Sequence, residues 1–269
     1  MKSRKLLIVL VAVVLGTGFS GCTFYNRLQA RDHLNKGVEA YTAKNFDAAA
    51  DEFKASVELD PNLVDAYLYL AAAYRAQFVP LVPTPENLRK GQEAIATFEK
   101  VLELDPKSVN AMANIADIYR NMNEPDKAKD WYHKLMDIQE DDSQALYGIA
   151  TINYNLVDEK TGKDGENVPN LTPEERAEVN RMADEAIASL KEAIAINENY
   201  TDAMEYLNLL YREKAELAEN DEEKDKWEKE ADKLALEVLN KKRELQRQAE
   251  RARREVFRST PTEEGAKEE

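Results

Sequence analysis

A chain of 269 residues with 33% Asp, Glu, Lys and Arg is too highly charged for one large globular core. Only nine Gly and nine Pro, against abundant Ala, Leu, Glu and Lys, favour helix throughout. The net charge of −15 becomes −20 on residues 6–240, a field that repels nucleic acid and sets aside phosphate-backbone binding by the body. It suits a basic partner, or serves solubility alone.

Met1–Lys5 is basic, Leu6–Leu15 is an unbroken apolar run, and Gly16–Gly21 is small and polar except for Phe19. That order is a secretory signal whose apolar core is too short to span a bilayer comfortably, so residues 1–21 read as a signal peptide. Cys22 is the only cysteine and comes directly after Phe19-Ser20-Gly21. These residues resemble the lipobox of bacterial lipoproteins, with Phe19 where Leu is usual. The resemblance implies acylation of Cys22, a lipidated linker over 22–29 and a chain facing the periplasm. Thr23, which is not the Asp that retains such proteins at the inner membrane, leans the expectation to the outer membrane. The alternative is an uncleaved signal anchor with a buried Cys22. A single cysteine leaves no internal disulfide.

From residue 30 the chain repeats itself. Phe53–Pro61, Phe98–Pro106 and Leu190–Glu198 end alike, each preceded four residues earlier by Ala49, Ala94 or Ala186. Asp65-Ala66, Asn110-Ala111, Gln144-Ala145 and Asp202-Ala203 open similar stretches. The pattern resembles the tetratricopeptide repeat (TPR), a 34-residue helix–turn–helix, and the resemblance covers about 30–240. It implies an all-α solenoid of about five units, beginning near Ala30, Val64, Val109, Ser143 and Thr201. Small residues at Gly37, Ala71, Ala116 and Ala150 allow close helix approach. Tyr74, Phe98, Tyr119 and Tyr132 fill wider gaps, and Pro61 and Pro106 separate units.

Three hairpins are enlarged. The spacing from first-helix Tyr to second-helix Ala is nine in the third unit (Tyr119 to Ala128). It is 20 in the second and fifth (Tyr74 to Ala94, Tyr211 to Ala231) and 33 in the fourth (Asn153 to Ala186). Thr84-Pro85-Glu86 and Thr172-Pro173-Glu174-Glu175 read as N-caps of long second helices, the latter with capping-box spacing. The irregular parts are then 78–83 and 158–171, projecting from one edge. The apolar segment Phe78–Pro83 either folds back or forms a contact patch, and Lys160–Gly165 reads as a mobile polar turn.

In the TPR family the first helices line a concave groove, and the resemblance places Tyr41, Arg75, Arg120, Tyr154 and Arg212 at one equivalent position there. Asn121 and Asn155 stand at the next. This ladder either holds an extended partner segment by hydrogen bonds and ring packing, or pairs internally with Asp65, Asp117 or Asp202. The Lys/Asn clamp of TPR domains that bind chaperone tails is not reproduced: the matching positions are Leu34, Val38, Tyr69, Asn110 and Asn114.

The apolar spacing continues through Leu234, Val238, Leu245, Ala249, Ala252 and Val256, predicting a helix to about Arg258. Its basic part, 241–258, has eight Lys/Arg against three Glu and either caps the open end of the stack or touches anionic lipid or an acidic partner. Residues 259–269 read as a disordered tail. His33 and His133 have no metal-ligand spacing, and no phosphate loop, nucleophile elbow or zinc-protease motif is present, so neither enzyme, metal nor cofactor is expected. The reading is a membrane-tethered protein–protein interaction scaffold of the bacterial envelope, bound to envelope proteins or peptides. A receptor for a peptide or soluble ligand, or a regulatory subunit of an envelope enzyme, is the alternative.

Overall fold

The computed structural model describes residues 23–259, with side chains to Glu255. The signal peptide, Cys22 and residues 260–269 of the tail lie outside the described residues. Within them the chain is helical and divides into two compact units between Glu140 and Asp141.

The first unit holds α1 (23–42), α2 (Phe46–Leu59), α3 (Val64–Gln77), α4 (Pro85–Leu104), α5 (Val109–Asn121) and α6 (Pro125–Met136). The second holds α7 (Ser143–Thr161), α8 (Pro173–Ile196), α9 (Thr201–Glu216) and α10 (Asp221–Ser259). The helices pair as hairpins α1–α2, α3–α4, α5–α6, α7–α8 and α9–α10, and the first helices after α1 start at the residues the repeat predicts. Residues 23–29, expected as a linker, are the first turns of α1. They rise only about 1.5 Å each, against roughly 3.5 Å for an extended tether.

One junction is built three times from the same chemistry. At Asp60, Asp105 and Asn197 the backbone N–H closes the helix onto Ser56, Val101 and Ala193. The side-chain oxygen of each accepts the N–H two residues on, from Asn62 (3.3 Å), Lys107 (3.2 Å) and Asn199 (3.1 Å). This Asx turn re-aims the chain into the next hairpin. It is why the Leu-Asp-Pro and Ile-Asn-Glu endings recur.

The caps of the enlarged hairpins form as the sequence predicts. Thr84 Oγ1 accepts from Asn87 N, and Thr172 with Glu175 makes a reciprocal capping box, each with Pro at the first helical turn. The fifth unit's extra residues lengthen α9 and α10 instead of forming a loop, because no Gly or Pro interrupts them.

The insertions do not project freely. Phe78 is buried in the core with Phe98 and Ile115, and Asn87 holds the loop behind it. Its side chain accepts from Val79 N (2.7 Å) and donates to Val79 O (2.8 Å) and Val82 O (2.7 Å). Leu81 N then donates to Asn121 O at the end of α5. Val79, Leu81 and Val82 stay exposed. The larger insertion behaves alike. Arg176 donates to Val168 O and to Leu217 O just beyond α9, both at 3.0 Å, with Val168 buried beneath. Lys160–Gly165, expected as a mobile turn, is the last turn of α7 and then a 3-10 turn. Gly165 there, at φ 73°, sits so close to Glu216 that a Cβ would collide with it. Each insertion is thus folded onto the C-terminal end of the next hairpin's first helix.

The core of each unit has the small–large alternation of the repeat. Ala71, Ala116 and Ala150 are fully buried between facing helices, and Phe53, Phe98 and Leu190 fill the layers beside them. No helix among the described residues is long and apolar enough to cross a membrane.

Candidate functional site

Three of the predicted ladder residues meet in one cleft of the first unit. Tyr41 from the end of α1, Arg75 from α3 and Asn121 from the end of α5 line a hollow of about 310 Å³, floored by Phe78, Pro80 and Ile118. Register explains this: Tyr41 and Arg75 lie at the same place in their first helices and Asn121 one residue further along in its own, and stacking sets those helices side by side. The folded-back insertion closes one wall, because Asn87 and Asn121 O hold Pro80 against the groove.

The charge in this cleft is organised by Asp117, which sequence reasoning placed only in the internal-pairing alternative. Asp117 Oδ1 takes Arg120 Nη2 at 3.1 Å and the Tyr132 hydroxyl at 2.7 Å, while Oδ2 lies 3.5 Å from Arg75 Nη2. Both predicted arginines therefore pair internally. Two guanidiniums share one carboxylate, which leaves a net positive charge in an otherwise acidic chain. Arg75 is 45% exposed and held by a single long ion pair, so it presents donors to the cleft; Arg120 is the more enclosed. Tyr132 reads in sequence as a gap-filling ring one turn beyond Ala128, without its bond to Asp117. Pro80 could not be found from sequence, because it reaches the cleft only through the loop's fold.

The other ladder residues lie in the second unit and are used differently. Tyr154 packs edge-on to Tyr206 (5.3 Å), which meets Tyr147 (5.5 Å), which in turn lies 5.1 Å from Tyr200. Burial, with Asp158, Glu213 and Tyr206 nearby, pushes the Tyr154 phenol up to about 12, so it stays a neutral donor at any physiological pH. Asn155 is exposed. Arg212 bonds to Asn208 and Asp232, both at 3.3 Å, and so is tied to the last hairpin. The tyrosine cluster across α7 and α9 is the element the sequence reading missed. Tyr147 and Tyr154, seven residues apart on one helix face, were its visible signal.

Beneath that cluster Glu213 is half-buried. Thr161 Oγ1 donates to it at 2.7 Å, yet burial and the nearby Asp158, Glu216 and Asp164 raise its pKa. The folded state thus prefers this carboxyl protonated. Its contribution is full below the ordinary value of 4.5 and is lost as pH rises through the raised folded value. Glu213→Gln is therefore expected to raise the melting temperature at pH 7 and to flatten the loss of stability as pH rises above the ordinary carboxyl value, read by circular dichroism. A variant less stable than the native chain at pH 7 would contradict it.

Among the described residues no cluster of three or more His, Cys, Asp or Glu is placed to hold a metal ion. Two tetratricopeptide-repeat family models match the chain, over residues 65–108 and 89–152, spanning the hairpins that supply Arg75 and Asn121 to the cleft. Over these residues it carries tetratricopeptide repeats. The solved structures agree at the level of fold. MamA protein is similar at a TM-score of 0.57 and 19% identity, over 80% of this chain and 94% of that one. MamA 41-end from Desulfovibrio magneticus RS-1 gives 0.56 and 13%, over 80% and 96%. YrrB, described as a TPR protein with an unusual peptide-binding site, gives 0.52 and 16%, over 84% and 97%. No curated protein matches this tetratricopeptide-repeat chain in sequence.

Proposed function

We propose that this tetratricopeptide-repeat chain is a lipid-anchored interaction scaffold of the bacterial cell envelope that holds an extended segment of a partner protein. The observation that carries the reading is the cleft joining Tyr41, Arg75 and Asn121, from three successive hairpins, the first two at one equivalent place and Asn121 at the next. It offers a ring, a guanidinium and an amide along one line, with an apolar floor and a net positive charge. That combination suits peptide carboxylates and backbone carbonyls flanked by apolar side chains. The likeness to YrrB, a TPR protein with a peptide-binding site, points the same way.

The tether rests on the lipobox-like Phe19–Cys22 and on the first turns of α1. Phe24, Tyr25 and Leu28 are all more than half exposed there, with Arg27 and Arg31 beside them. Aromatic and apolar side chains flanked by arginine suit the headgroup region of a bilayer. Thr23, in place of a retaining Asp, is the basis for outer-membrane placement.

A photo-cross-linking residue at Tyr41 in living cells, with mass spectrometry of the products, identifies the held segment. Arg75→Glu is expected to lower its capture roughly tenfold or more, the worth of a charge-assisted hydrogen bond of about 1.5–3 kcal/mol, without changing the melting temperature by more than a few degrees. Cys22→Ala is expected to abolish acyl labelling and release the protein from the membrane fraction. If Tyr41 cross-links to nothing and Arg75→Glu changes no capture, the cleft is not the binding site.

A further inference from the structure

The last hairpin ends on an unfinished surface. Four residues beyond the buried Ala49, Ala94 and Ala186 stand Phe53, Phe98 and Leu190, each buried beneath the first helix of the next hairpin. Phe53, for example, stacks on Tyr69 of α3 at 5.5 Å. In α10 the equivalent residue is Ala235, exposed. Leu239, matching the partly covered Val57, Leu102 and Ile194, is 45% exposed, and Leu209 of α9 is 39% exposed. Between α9 and α10 this leaves a cleft of about 470 Å³, lined by Glu205, Tyr206, Leu209, Ala235 and Val238.

The segment expected to cap this end is carried away from it. α10 runs without a Gly or Pro from Asp221 to Ser259, about 58 Å, whereas its partner α9 is about 24 Å long. Lys242 pairs with Glu205 near the start of α9, and residues 246–255 are exposed beyond it. The stripe that packs Trp227, Ala231 and Val238 continues on the same face through Leu245 to Ala249 and Ala252, both uncovered. Charge changes sign along the helix: 221–240 has eight acids against four Lys, and 241–258 has eight Lys/Arg against three Glu.

We propose that the capping is done in trans: two copies of this chain pair through antiparallel α10 helices, the basic overhang of each lying across the cleft of the other. The overhang is a basic helix with one apolar face, and the cleft is largely apolar and borders the acidic half of α10. A straight α10 cannot bring its own overhang back to its own cleft, so the occupant is a second copy. The antiparallel arrangement sets each basic half beside an acidic half, and a two-fold axis near Lys242 makes both contacts identical.

Light scattering on the full chain in mild detergent is expected to give a two-chain protein mass at micromolar concentration. Ala235→Glu, in the cleft, and Leu245→Glu, on the overhang, are each expected to weaken pairing at least tenfold with helicity unchanged by circular dichroism. Mixing the two variants is expected to restore part of the dimer, because an intact overhang then meets an intact cleft once per pair. A native chain that stays single at about 100 µM overturns the proposal, as does mixing without recovery. Flotation with phosphatidylglycerol vesicles that depends on Leu245 in a single-chain protein would also overturn it and assign the overhang to lipid. The first unit's cleft plays no part in these measurements, so either reading can fail alone.

Discussion

Phe53→Ala is expected to lower the stability of the first unit by about 3–5 kcal/mol, the range for removing a fully buried aromatic ring. Its ring is wholly enclosed. It lies against Gly37 of α1 so closely that a Cβ there would stand nearer than 3.0 Å to the ring, and it stacks on Tyr69 of α3. One side chain therefore joins three helices. The midpoint of urea unfolding should fall, and amide exchange in α1 and α2 should accelerate most, because the end hairpin has a neighbour on one side only within its unit. The closeness of Gly37 adds a sharper test. Gly37→Ala alone should cost roughly 1–3 kcal/mol by overpacking, but little in the Phe53→Ala background. Additive costs would show that the glycine is not there to admit the ring.

The second large effect is expected at Lys214, whose side chain is 8% exposed. Its ammonium lies 2.9 Å from Asp184 Oδ1 and 2.7 Å from Asn180 Oδ1, and 5.6 Å from the centre of the Trp227 ring. Lys214→Glu puts a carboxylate where the ammonium satisfied two acceptors, and should cost about 3–5 kcal/mol as an unpaired buried charge. Lys214→Met keeps the stem packed on Trp227 and removes the charge. It should cost only about 1–3 kcal/mol, since Asp184 is mostly exposed and recovers water, leaving Asn180 as the group that loses its partner. Unfolding monitored by tryptophan fluorescence reads both variants. Equal costs would mean that packing alone, not the charge, is what the site requires.

Much of the local architecture was legible because it is encoded in short stretches. The starts of α3, α5, α7 and α9, the N-caps at Thr84 and Thr172, and the turns at Asp60 and Asp105 all depend on residues within one helical turn of each other. The grouping of Tyr41, Arg75 and Asn121 was legible for a related reason: the repeat register turns equal or adjacent positions of successive first helices into neighbours in space. The pairing of Arg75 and Arg120 through Asp117 was visible only as one of two alternatives, since a guanidinium reaches a carboxylate or a ligand equally well by spacing alone.

Other features depended on long-range packing. Tyr154 reads in sequence as a groove residue, but Tyr206 from α9 turns it into part of a tyrosine cluster. The insertions read as projecting from one edge, with fold-back of Phe78–Pro83 only one of two alternatives, because nothing in their composition shows that Asn87 and Arg176 will pull them onto α5 and onto the end of α9. The basic end of the chain reads as a cap, yet an uninterrupted run of helix formers makes it the straight continuation of α10.

By itself the sequence determined the repeat, the helix boundaries, the charge asymmetry and the Cys22 motif, all properties of residues close along the chain. The tertiary structure decided which arginines share a carboxylate, where the enlarged hairpins fold, and that the last hairpin ends on an open face. These rest on contacts between residues tens of positions apart. Whether such contacts form is settled by the packing of several helices together, which no single stretch of sequence records.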